Sequence, residues 1–330
     1  MNKKVLFLIV FGVLIFGIRL VNINEAIYDD ESNFAYSLTV MNEFGFNEKY
    51  YSPQLSNLIY KPFISSFGLK TWVFRLIPWL FGIINTVFVY IFARRNWGEK
   101  VAFWASFLML IAFYPTLASL QFDVEGNLVM FSIMLLFFSY LEYEKVSSKR
   151  IRLGWQILSG VGLGVAIASK YNSIYIVVVL ALYSLIKGKF NLKQSFQDVF
   201  FIYLVGLLVF LCQVFLAAIS SPDWFSIVFN MGTGTVKYFS HRISLLAIGM
   251  FVLWSTPLLS GFYLISLKLR KRMLLPFLWI TLAICYYVFI QTYGAFDRYL
   301  MNIIPALAIL GGFYISKENL KEKHAIFGSI

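Results

Sequence analysis

Val5–Leu20 reads VLFLIVFGVLIFGIRL, and Asp29-Asp30-Glu31 follows a short polar link later. Sixteen residues interrupted only by a terminal arginine are too apolar for an exposed helix and nearly long enough to cross a bilayer. Three adjacent carboxylates repel one another and bind water strongly. Set just beyond a membrane helix, they call for a chemical role.

The rest of the 330-residue chain follows this start. It is 60% hydrophobic, 19% aromatic and 13% charged, against roughly 25% charged in ordinary soluble domains. That much apolar surface needs lipid as its solvent. Ten apolar runs predict membrane spans: Val5–Leu20, Trp72–Phe92, Val101–Tyr114, Asn127–Leu141, Gly154–Ser169, Ser173–Ile186, Val199–Ala218, Leu245–Leu267, Leu274–Gln291 and Tyr299–Ile315. The third to sixth are short and are expected to tilt, to pack inside the bundle or to extend further.

The net charge of +12 first suggests nucleic acid. The cations instead fall in short clusters between apolar runs, so no nucleic-acid partner is expected. With Lys3 and Lys4 inside, alternating spans place 19 of the 28 cations on the cytoplasmic side, in every connection there. Arg19, Lys49, Lys61, Lys70, Arg75, Lys170, Lys237, Arg242 and Arg298 lie outside. Both termini are thus expected in the cytoplasm, in the cell (plasma or inner) membrane. The first run lacks a small-residue cleavage site and reads as an uncleaved span. Cys212 and Cys285 sit in apolar runs and read as buried hydrophobes without a disulfide.

The expected fold is all-α, a polytopic membrane helix bundle of about ten transmembrane helices forming one domain over residues 1–330. Residues 21–71 and 219–244 form two long outer loops, and no soluble C-terminal domain is expected. In the first loop Phe34, Leu38 and Met41 repeat at helical spacing before Gly45, which predicts a short interfacial helix. Gly232-Thr233-Gly234-Thr235 lacks the lysine of a phosphate loop, and no repeat marks inverted transporter halves.

Unusual polar residues gather outside: Asp29, Asp30 and Glu31; Asp123 and Glu125; Lys170; and Arg298. Carboxylates there can activate a hydroxyl acceptor, and cations can hold a phosphate, which together suggest group transfer from a lipid phosphate. Simpler readings stand beside this one. The acidic triplet would also cap a helix, Asp123 and Glu125 would suit a solvated turn, and Lys170, Arg298 and Arg75 would anchor helices at the headgroups. Tyr50, Tyr51 and Trp72 offer rings on which a sugar can stack.

Six segments, in order, carry a resemblance. They are Asp30-Glu31 with Tyr36; Tyr51-Ser52-Pro53-Gln54-Leu55; Phe74-Arg75-Leu76-Ile77-Pro78; Asp123; Gly164–Lys170; and Arg298-Tyr299 with Pro305. They resemble the D-E pair, P-P-L stretch, aromatic-R-L-P start, later acid, G-L-A-x-L-T-K segment and closing R-Y…P of GT-C membrane glycosyltransferases. The similar branch is that of protein O-mannosyltransferases and aminoarabinose–lipid A transferases. Ser52 departs from the pattern, replacing a proline.

The resemblance implies a polyprenyl- or dolichyl-phosphate sugar donor, an outward-facing site and inversion at the anomeric carbon. It makes Asp30 the base and Glu31 its catalytic neighbour, with Lys170 and Arg298 on the donor phosphate. Asp29, Asp123, Glu125 and Tyr51 would position substrate. It implies no cofactor and no obligatory metal, while the clustered acids themselves could bind a divalent cation. The acceptor is a lipid, a glycan or a protein. The rival readings are a transporter or flippase, which would place its acids near the midplane, and a non-catalytic membrane partner subunit.

Overall fold

A computed structural model describes residues 3–21, 23–24, 35, 55–120, 124–220, 241–254, 257–266, 273–290 and 297–317. Among these residues there is no strand. The α-helices are α1 Lys3–Leu20, α2 Leu55–Phe67, α3 Thr71–Trp97, α4 Glu99–Ile111, α5 Phe113–Leu120, α6 Val124–Lys145 and α7 Lys149–Ser169. They continue as α8 Tyr175–Lys187, α9 Leu192–Ser220, α10 His241–Trp254, α11 Pro257–Ser266, α12 Leu274–Cys285 and α13 Ile304–Lys317. Short 3₁₀ segments, Tyr171–Ile174 and Asp297–Ile303, lead into α8 and α13, and a π segment, Tyr286–Ile290, extends α12. The helix predicted around Phe34–Met41 lies outside the described residues, apart from Ala35.

The described residues of the ten apolar runs fall almost entirely on helix. By length and composition, five helical stretches among the described residues can cross a membrane: Thr71–Trp97, Gly126–Lys145, Lys149–Ser169, Leu192–Leu216 and Tyr299–Lys317. The fourth and fifth runs were read too short, because polar ends continue the helix beyond the apolar stretch.

A proline explains where one run breaks. Pro115 has no N–H for the Ile111 carbonyl, and its ring would clash there, so α4 stops at Ile111 and α5 begins afresh. The expected span Val101–Tyr114 is therefore two helices. Within Leu245–Leu267 the described residues form α10 to Trp254 and α11 from Pro257. Pro78 lies inside α3 and leaves the Phe74 carbonyl without its helical donor. The Tyr60 hydroxyl of α2 donates to that carbonyl at 2.9 Å. Gly98 (φ 95°) joins α3 to α4 in a single residue, a conformation that L side chains rarely adopt.

The bundle has a clear inside. Of α6's apolar stretch 83% is buried, against 22% for α9, so α6 runs through the centre and α9 lies at the lipid-facing rim. Cys212 on α9 is accordingly exposed, not buried as expected, and both cysteines are free. Glycines bring the central helices together. A Cβ at Gly162 of α7 would lie 2.6 Å from the Leu136 N and 2.9 Å from the Ser132 O of α6. One at Gly164 would lie 2.5 Å from the Val209 Cβ and 2.6 Å from the Gly206 O of α9. The Gly164 of the sequence resemblance is thus a packing residue.

Backbone cannot yield as a flexible side chain can. Gly162→Val is expected to lower stability by about 1–3 kcal/mol through overpacking. Gly154→Ala, with nothing within 4 Å of the added Cβ, should match or slightly exceed wild type. Thermal unfolding in detergent separates the two; equal midpoints would contradict the α6–α7 contact.

Candidate active site

The helices alternate, and their contacts sort the connections into two ends. At one end the last turn of α1 meets α5. Arg19 Nη1 donates to Ser119 Oγ at 2.7 Å, and Nη2 donates to Thr116 Oγ1 at 2.6 Å. Its guanidinium also lies 4.5 Å from the Phe16 ring centroid. A buried cation held by hydroxyls thereby ties the helix leading toward Asp29–Glu31 to the helix leading toward Asp123. Sequence reading placed Arg19 only among the outer cations. A lone arginine in the last turn of an apolar helix was the available signal.

Beside this clamp, Asn127 on the second turn of α6 joins three elements. Its side-chain amide donates to the Ala118 O at 2.8 Å, and its backbone carbonyl accepts from Asn85 Nδ2 at 2.9 Å. Around it Tyr60, Ile64, Val73, Phe74, Ile77 and Leu128 form a buried cluster. Ala35, four residues beyond the acidic triplet, packs against the cluster that α2, α3 and α6 thus build.

Lys170 ends α7. Its extended backbone (φ −155°, ψ 112°) stops the helix, and its N–H still pairs with the Ala166 O at 3.0 Å. Its Nζ lies 4.3 Å from the centroid of the Tyr299 ring. Tyr299 directly follows Arg298, so the fold brings together the two segments that carry the predicted phosphate cations. Below them lies a fully buried polar cluster. Tyr175 Oη donates to Asn302 Oδ1 at 2.9 Å, Asn302 Nδ2 donates to the Tyr299 O at 3.0 Å, and Trp279 Nε1 donates to Tyr175 Oη at 3.3 Å. Tyr287 completes it, 6.0 Å from Tyr175 between ring centroids. These interactions fix the floor beneath Lys170. They were missed in sequence because aromatic residues are abundant throughout the chain.

The other predicted site residues are placed only in part. Glu125 lies on the first turn of α6 and Arg298 on the 3₁₀ segment, by backbone. Asp29, Asp30, Glu31, Tyr51 and Asp123 lie outside the described residues. Among the described residues no three His, Cys, Asp or Glu side chains gather as metal ligands.

The opposite end is chemically different, because its acids are paired. Arg95 Nη2 and Lys145 Nζ each lie 2.7 Å from Glu142 carboxylate oxygens, and Lys187 pairs with Glu144. Asp198 accepts from the Tyr143 hydroxyl at 3.0 Å. These are the connections that sequence reading assigned to the cytoplasm.

The described residues form an all-helical bundle with broken apolar helices, and comparison with known proteins identifies it as the fold of GT-C membrane glycosyltransferases. Solved structures share it. ArnT from Cupriavidus metallidurans bound to undecaprenyl phosphate superposes with a TM-score of 0.78 at 17% identity, covering 98% of this chain and 62% of that one. The oligosaccharyltransferase AglB from Archaeoglobus fulgidus, in complex with an inhibitory peptide and a dolichol-phosphate, gives 0.67 at 12% identity, over 100% and 52% of the two chains. The chain thus spans between half and two thirds of those proteins, and the likeness speaks to the fold. Residues 52–217, half of the chain, match the family described as dolichyl-phosphate-mannose-protein mannosyltransferase. The chain belongs to that family. An uncharacterized protein from Aquifex aeolicus (strain VF5) is 24% identical over 336 residues, covering 98% of this chain and 76% of that one.

Proposed function

We propose that this protein transfers a single sugar from a polyprenyl-phosphate or dolichyl-phosphate donor to a lipid, glycan or protein acceptor on the extracytoplasmic side, with inversion. The observation that carries the reading is the meeting of Lys170 with Tyr299, next to Arg298, at the end of the bundle where α1 and α5 lead toward the acids. Asp30 takes the proton of the acceptor hydroxyl, with Glu31 beside it. The acceptor oxygen attacks the anomeric carbon opposite the phosphate, and the carbon–oxygen bond to phosphate breaks. The polyprenyl phosphate leaves with the bonding electrons, and Lys170 and Arg298 stabilise its charge. A phosphate needs no general acid to leave, so the site's main tasks are the base and the positive charge. Asp29, Asp123, Glu125 and Tyr51 position acceptor and sugar.

The burial of charge disfavours a transporter. Among the described residues the buried charged side chains are Arg19, Arg75 and Glu142, all near helix ends rather than at mid-span. The test is transfer from synthetic polyprenyl-phosphate sugars by purified protein in nanodiscs, with a chelator present. Chelator-resistant transfer is expected. Turnover that requires added divalent cation would overturn the metal-free mechanism, and movement of lipid without cleavage would favour a flippase. Mass spectrometry of cell-envelope glycans and lipids, with and without the gene, would identify the acceptor.

The orientation proposed has the basic end in the cytoplasm. Reporter fusions at Lys187 and Lys317 should read cytoplasmic, and those at Lys49 and Pro222 extracytoplasmic. An external signal at Lys317 would invert the assignment for the last span.

A further inference from the structure

A cavity of about 680 Å³ lies at the basic end, far along the bundle from Lys170 and unused by the transfer mechanism. Its walls come from the C-terminal ends of α3, α6 and α8 and the N-terminal end of α12. We propose that it holds the phosphodiester headgroup of an anionic phospholipid from the leaflet on that side.

Charge sets the sign of the ligand. Lys145, Lys187 and Glu144 line the cavity and together carry one net positive charge. Arg95 and Glu142 beside it cancel. A phosphodiester carries one negative charge, so the balance closes. The lysines also retain donors. Each ammonium has three N–H groups. Lys145 spends two, on Glu142 Oε1 at 2.7 Å and the Arg95 O at 3.3 Å, and Lys187 spends one on Glu144. Their side chains are 43% and 50% exposed, so their heads reach the mouth.

The N-terminal residues of α12 line the same space. Leu274 and Leu275 form the first turn of α12, and among the described residues no side chain caps that helix. Their N–H groups have no partner within the helix, and the helix end favours an anion. Lipid is favoured over free phosphate by the rest of the lining. Trp97 and Tyr183 are amphipathic rings suited to the headgroup level, and the leucines continue toward the apolar bundle. Arg94 and Lys100 at the α3–α4 connection and Lys149 and Arg150 at the start of α7 add positive charge at this end, which raises the local anionic-lipid concentration.

The test uses the full chain in nanodiscs of equimolar phosphatidylglycerol and phosphatidylcholine, released for native mass spectrometry. Wild type should retain phosphatidylglycerol preferentially. A surface cation near an anionic leaflet is worth about fivefold in binding, so Lys145→Gln with Lys187→Gln should lower retention roughly 25-fold. Because that double variant loses two ion pairs, Glu144→Gln is the second arm. It removes the competing carboxylate and should raise phosphatidylglycerol retention. No preference in wild type, or lower retention in Glu144→Gln, would overturn the proposal. Displacement by inorganic phosphate would reassign the cavity to a free anion and overturn the lipid reading.

Discussion

Asp30→Asn is expected to abolish sugar transfer while the protein inserts and folds normally. Asparagine is nearly isosteric with aspartate but cannot accept the acceptor's proton. A general base contributes about 10²–10⁴-fold in rate, and the loss should fall on kcat rather than on donor binding. The substitution also discriminates against the simpler reading of the acidic triplet. Asparagine caps a helix as well as aspartate does, so a capping residue would tolerate the change almost silently. Near-normal turnover of Asp30→Asn, measured in the nanodisc assay, would reduce the triplet to a cap and move the base elsewhere.

Lys170→Ala and Arg298→Ala should each lower catalytic efficiency by roughly 10- to 100-fold. A charge-assisted hydrogen bond to phosphate contributes about 1.5–3 kcal/mol. Arg298→Lys should recover only part of the loss, because lysine lacks the bidentate fork. Lys170 also rests on the Tyr299 ring at 4.3 Å, so its removal has a structural component. That contact is worth about 0.5–1 kcal/mol at an exposed site, smaller than the expected phosphate effect. Donor titration with the same acceptor reads the difference. If both alanine variants keep wild-type efficiency at every donor concentration, the cations are membrane anchors and the donor site lies elsewhere.

The candidate site is proposed from residue type and order, and the structure describes only part of it. Lys170 and Arg298 stood out as cations away from the cytoplasmic clusters, and the fold brings their segments together. Asp29–Glu31, Tyr51 and Asp123 remain inferences from pattern and family resemblance. Arg19 and Asn127 were not legible, because each takes its meaning from its partners. Arg19 holds hydroxyls 97 and 100 residues away, a pairing no local window can reveal. The proline break at Pro115 was written in the chain but not visible in hydropathy alone. Hydropathy measures transfer to lipid and is blind to a missing N–H.

By itself the sequence determined that this chain lives in a membrane and that its apolar runs are largely helical. Those properties follow from the transfer free energy of side chains and from charge position, which are local quantities. Only the tertiary structure decided that Gly162 and Gly164 seat α7 against α6 and α9, that Tyr60 satisfies the carbonyl freed by Pro78, and that Lys170 rests on Tyr299. Those facts depend on which helices touch. In lipid, apolar surface gains nothing by facing protein rather than acyl chains, so close packing and hydrogen bonds choose the neighbours.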